Sequence, residues 1–125
     1  MTIKVSSPKC GNSPKMAFLK EFKTAYAKGD HDFLKESVTD EIVWNKIGDK
    51  KTEGKNNFIR ELKEGVSLKV HELLIDQILS HGKEGAVNGE IKLENGKSVA
   101  FSDFFIFQGA KGTKIKSITS YTIEL

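Results

Sequence analysis

One carboxylate sits inside the most apolar run of this chain: Asp103, in SVAFSDFFIF, residues 98–107. On a strand, successive side chains alternate faces, so Asp103 shares a side with Val99, Phe101, Phe105 and Phe107, the side expected to meet a core. An unpaired buried carboxylate is costly. It must find a partner, keep its proton, or line a cavity where a ligand or water meets it. Two uses follow. As a protonated acid Asp103 can donate a hydrogen bond to a ligand oxygen; as a structural group it is satisfied by Asn45, Tyr26, Tyr121 or an ordered water. Asn45 shares a strand face with Val43 and Ile47 and is expected to point inward, either pairing with Asp103 or orienting a ligand carbonyl. Tyr26 falls on the apolar stripe of a first helix, where its hydroxyl wants a partner. By the same alternation Trp44 belongs to the opposite face, as packing.

Other reactive side chains have plainer readings. His31, His71 and His81 lack metal-ligand spacing, and the one cysteine, Cys10, lies in KCGNS ahead of any periodic pattern. No metal and no cofactor are expected. His71 stands near an expected bulge and could sit at a pocket mouth. Asp30 reads as a helix cap and Arg60 as a solvated helix residue. GKEG and QGAKG are hairpin turns with no helix after them, so no phosphate loop is expected.

The elements that must position these groups follow from periodicity. Residues 1–13 read as a tail or edge segment, and residues 14–125 as a single domain. Ser13-Pro14 supplies a helix start, Phe18, Leu19, Phe22, Ala25 and Tyr26 form a stripe at three- and four-residue steps, and Gly29 ends it. A short helix capped by Asp30 buries Phe33, Leu34 and Val38; EIVWNKIG reads as a strand; KNNFIRELKEG is a third helix with Phe58, Ile59 and Leu62 inward. From Val66 the period changes to two. VSLKVHELLIDQILSH is a long strand with a bulge near His71 and Glu72, KEGAVNGEIKLE alternates, Asn95-Gly96 marks a two-residue hairpin turn, and KIKSITSYTIEL closes the sheet. Strands this long twist, so the sheet must curve, and helices on its concave side enclose a hollow.

Composition sets the class. The 125 residues suffice for one core. The charge of +3 comes from 20 basic residues spread among 17 acidic ones, which describes a solvated surface and not the clustered Arg and Lys of a nucleic-acid binder. No apolar run reaches membrane-spanning length. A single cysteine and a start, MTIKVSSPK, unlike a secretory signal lead us to expect a cytoplasmic protein.

The helix–helix–strand–helix–sheet order and two passages, FKTAYAKGDHDFLKESVTDEIVWNKIG and SDFFIFQGAKGTKIKSI, resemble the nuclear transport factor two-like superfamily, in its ketosteroid isomerase and SnoaL-like polyketide cyclase branch. The resemblance covers residues 14–125 and implies an α+β fold: a cone-shaped, curved antiparallel sheet packed on three helices of the N-terminal half. In the isomerases a tyrosine on the first helix and a protonated aspartic acid on a late strand hold the dienolate oxygen, while an aspartate on the first strand moves the proton. Asp103 falls at the protonated acid. The tyrosine position is Phe22 and the base position Asn45, which argues against the steroid reaction. Epoxide hydrolases of this fold use an Asp-Arg-Asp set, and Phe101 stands where the arginine would be.

The cavity is expected to be lined by Phe18, Phe22, Tyr26, Phe58, Leu62, Phe101, Asp103, Phe105 and Tyr121, and to bind a small, mostly apolar molecule with a polar handle. One rival is a SnoaL-like isomerase, cyclase or dehydratase using Asp103 as acid or base with Asn45 or Tyr26 polarising a carbonyl. The other is a non-catalytic interaction module. The outer face of the same strand, with Phe104 and Ile106, is apolar enough to need a cover, and a homodimer is the simplest one.

Overall fold

A computed structural model describes residues 2–5, 13–65 and 69–125. Helix α1 (Pro14–Lys28) starts where Ser13 Oγ accepts from the Met16 amide at 3.1 Å and ends at Gly29, whose φ of 77° turns the chain out of the helix. Helix α2 (His31–Glu36) begins at Asp30, whose carboxylate accepts from the Phe33 amide at 3.2 Å. Strand β2 (Val38–Lys46) follows at once, so Val38 opens a strand and does not close the helix. Strand β3 (Lys51–Glu53) folds back on β2, and helix α3 (Lys55–Gly65) comes next. Four long strands complete the chain: β4 (Val70–His81), β5 (Glu84–Leu93), β6 (Ser98–Phe107) and β7 (Ile115–Glu124). Ahead of all these lies β1 (Thr2–Val5), so residues 2–5 form an edge strand.

The seven strands make one sheet in the order β1-β4-β5-β6-β7-β2-β3. The fold is the expected α+β roll of a curved, unclosed sheet with three helices, but the sheet is mixed. β1 runs parallel to β4, and β2 parallel to β7. Two short strands, β1 and β3, complete its edges.

Curvature has a local cause. β4 breaks register with β5 between Val70 and Glu72, beside the expected bulge, and again between Ile75 and Gln77. At the second break Gly89 lies opposite Ile75, and a Cβ there would come within 1.9 Å of the Leu74 carbonyl oxygen. Only glycine allows that approach. The β5–β6 connection also departs from expectation: the Gly96 amide bonds the Leu93 carbonyl and Leu93 N bonds Lys97 O, making a three-residue loop with Gly96 at φ 91°.

The helices cover the concave face. At one end Phe18 packs on Phe22, Phe33 and Phe107, with ring centroids 6.0 to 6.1 Å apart, beside the buried Leu19, Leu34, Val38 and Ile115. This end is solid core. Toward the other end α1, α3 and the sheet part around a hollow.

Candidate functional site

The hollow has a volume of about 320 Å³. Phe22, Lys23 and Tyr26 reach it from α1; Phe58 and Leu62 from α3; Trp44 and Lys46 from β2; Ile91, Phe101, Asp103, Phe105, Ile118 and Ser120 from the sheet. Ile47, Asp49, Val70, Leu93, Val99 and Thr122 form its rim, more exposed than the floor. Aromatic rings meet edge to face around it: Phe22 on Phe105 at 5.7 Å, Tyr26 on Trp44 at 6.4 Å, Trp44 on Phe58 at 5.4 Å.

Asp103 does face this hollow, and its partner is Lys23. Lys23 Nζ donates to Asp103 Oδ2 at 2.6 Å, with the two side chains 8% and 5% exposed. The ammonium also lies 4.4 Å from the ring centre of Tyr26 and 4.2 Å from that of Phe101. A desolvated cation between two aromatic faces and a carboxylate is stabilised from three sides. The floor of the cavity is therefore an ion pair in an apolar shell.

Lys23 escaped the reading of lysines as surface residues, yet the sequence holds a signal for it. Leu19, Phe22, Lys23 and Tyr26 occupy i, i+3, i+4 and i+7, which places Lys23 within the apolar stripe. Lys15, eight residues earlier on the same face, is buried as well; it donates to the carbonyls of Ala110 and Gly112 at 2.5 and 2.7 Å.

Of the residues expected at the site, Phe22, Tyr26, Phe58, Leu62, Phe101, Asp103 and Phe105 line the hollow. Phe18, Asn45 and Tyr121 do not. Phe18 lies one turn nearer the start of α1, about 6 Å along the axis, partly buried against Phe22, Phe33 and Phe107. Asn45 is on the other face of β2. Along β2, Ile42 and Trp44 are buried and Val43 and Asn45 only partly so, which makes Ile42, Trp44 and Lys46 the inner set. Burying the indole decides that parity, and its Nε1 donates to Ser120 Oγ at 3.0 Å across the β2–β7 ladder. Trp44 is thus a cavity wall, contrary to its expected outward position. Tyr121 pairs with Ser102, whereas Asp103 pairs with Ser120; Tyr121 is outside, its ring 6.0 Å from Phe104. His71 is exposed and absent from the lining.

At the rim, Lys46 Nζ bonds Glu61 Oε1 at 2.5 Å and approaches Asp49 at 3.6 Å, while Lys50 reaches Glu61 Oε2 at 3.1 Å. The hydrogen bond from Lys46 holds the Glu61 carboxyl below the usual carboxylate range against the opposing effect of burial, and Lys50 adds to it. In turn the hydrogen bond with Glu61 raises Lys50. This cluster ties α3 to the β2–β3 hairpin beside the opening. Among the described residues no group of three or more His, Cys, Asp or Glu could hold a metal ion, and no helix is long and apolar enough to cross a membrane.

The sequence matches no protein-family model and no curated protein. Solved structures do match. A candidate SnoaL-like polyketide cyclase from Shewanella denitrificans superposes with a TM-score of 0.74 at 13% identity, over 89% of this chain and 92% of that one. The chain has the NTF2-like fold. An NTF2-like protein of unknown function from Cytophaga hutchinsonii is 23% identical, with a TM-score of 0.63 over 86% of this chain and 97% of that one. An LEH-like epoxide hydrolase of M. tuberculosis gives 0.67 at 17% identity, covering 86% and 80%. On the cavity wall Phe22 carries no hydroxyl, and the inward-facing neighbours of Asn45 are Trp44 and Lys46.

Proposed function

We propose that this protein binds a small, mostly apolar molecule in the NTF2-like hollow, with one or two polar groups of the ligand meeting Lys23 and Asp103. The observation that carries this reading is a cavity of about 320 Å³ with aromatic and aliphatic walls and one buried ion pair on its floor. Apolar walls supply affinity by removing ligand surface from water, and a few convergent polar groups supply orientation. Native mass spectrometry of the protein from its source should detect a co-purified small molecule, and Phe58→Trp, which fills the hollow, should abolish its retention. Retention of the same molecule at full occupancy by that variant would sink the reading.

A second reading is an isomerase, cyclase or dehydratase. It is favoured by the direct contact of an amine and a carboxylate in an apolar-walled cavity, where a positioned group can move a proton during reaction. Asn45 has no place in it; Lys23, Asp103 and Tyr26 are the groups that would act. On this reading Asp103→Asn retains the bound molecule and stops its conversion.

The outer sheet face, with Phe104 50% and Ile106 40% exposed beside Tyr121 and Ile123, is proposed as the contact between two copies of the chain. A cytoplasmic location is the proposed setting.

A further inference from the structure

Any occupant of the hollow meets a charge pair and not a lone charge. Lys23 and Lys46 are its basic lining residues and Asp103 and Asp49 its acidic ones, so the formal charges of the lining cancel. At the rim Lys46 is engaged by Glu61 and Asp49. On the floor, one N–H of the Lys23 ammonium is spent on Asp103 Oδ2, and the rings of Tyr26 and Phe101 flank the ammonium at 4.4 and 4.2 Å without supplying a hydrogen-bond acceptor for its other N–H groups. What remains for a ligand is a donor edge of Lys23 and an acceptor edge of Asp103, side by side, the paired atoms 2.6 Å apart.

Resting on the binding reading above, we infer that the Lys23–Asp103 pair sets the charge class of the ligand: a neutral ring compound with a hydrogen-bond donor next to an acceptor, such as a hydroxyl beside a carbonyl or a carboxamide. The acceptor takes an N–H of Lys23 while the adjacent donor reaches the Asp103 carboxylate. An anion of the same shape brings like charge against Asp103, whose side chain is only 5% exposed and therefore weakly screened. A cation meets the same obstacle at Lys23. Each also meets an opposite charge, but that charge is already paired across 2.6 Å, and the apolar walls offer nothing further. The Asp103 carboxylate is then a selectivity device as well as a partner for the lysine.

Salicylamide and salicylate test this, since they share a ring and hydroxyl and differ in charge at mildly acidic pH; naphthalene serves as a probe without a handle. Titrations of the full chain followed by NMR should show salicylamide binding at least about tenfold more tightly than salicylate. In Asp103→Asn the lysine is left unpaired, and the order should reverse in favour of the anion. In the double variant Lys23→Met with Asp103→Leu, naphthalene should still bind, and salicylamide should lose at least about tenfold relative to naphthalene, because its donor and acceptor have no partners left on the floor. Salicylate binding the wild type as tightly as salicylamide overturns the inference, as does an unchanged order in Asp103→Asn. Should that variant fail to fold, salicylamide keeping its wild-type affinity relative to naphthalene in the double variant overturns it equally. If naphthalene binds but the order is wrong, only the charge selection fails; if no probe binds the folded wild type, the ligand-binding reading fails with it.

Discussion

Lys23 and Asp103 are worth more together than either is alone. A buried ion pair gains little net stability over an apolar pair of similar volume, because both charges have lost water; removing one partner strands the other. Lys23→Met and Asp103→Leu should each destabilise the protein by about 3–5 kcal/mol, while the double change should cost far less than the sum, or even stabilise. Urea unfolding of all four proteins measures the coupling, and additive losses would show that the contact carries none. Half of this pair was legible in the sequence. Parity along β6 is fixed by its run of phenylalanines, so Asp103 could be placed. Lys23 sat on the apolar stripe, but lysine type weighed against burial, and the carboxylate that offsets it comes from eighty residues away. Asn45 and Trp44 were exchanged for a related reason. A period-two pattern in a strand with residues of similar polarity on both faces has two solutions, and the choice here was made by the indole's bond to Ser120, a tertiary contact.

The elements were more readable than their edges. Caps at Ser13 and Asp30, the stop at Gly29 and the long period-two strands are local signals, and they were found where local physics puts them. β1 and β3, of four and three residues, are too short for their alternation to stand out from the surrounding sequence, and they pair where a longer strand offers unpaired backbone beside them. The bend in the β4–β5 pair rests on Gly89. Gly89→Ala forces backbone to move, so a loss of about 2–4 kcal/mol is expected by thermal or urea unfolding, against little change for Gly112→Ala in open space. Tolerance of alanine at Gly89 would mean the strands can part there freely. The tether of α3 to the β2–β3 hairpin has a pH signature. Glu61 is held below its ordinary value of 4.5, so its contribution is present above that value and fades as pH falls through the lower, folded one. Stability should decline more steeply below about pH 4.5 in the wild type than in Glu61→Gln, as measured by urea midpoints across the acid range. Identical slopes would remove the tether's role.

For the whole molecule, the outer sheet face sets the next test. Phe104 and Tyr121 stack edge to face at 6.0 Å with Ile106 and Ile123 nearby, all partly open to water. Light scattering should give twice the chain mass for the wild type and a single chain mass for Phe104→Glu, since a buried carboxylate has no partner there. A wild-type monomer would leave that face bare. The wall of the hollow, finally, contains the only indole of the chain, 7% exposed and touching both Tyr26 and Phe58. Near-ultraviolet emission from the native protein therefore originates beside the hollow, so a guest bound there should shift the colour or quench the yield without any label. The same photons, reddened on unfolding, let occupancy and integrity be read from one cuvette.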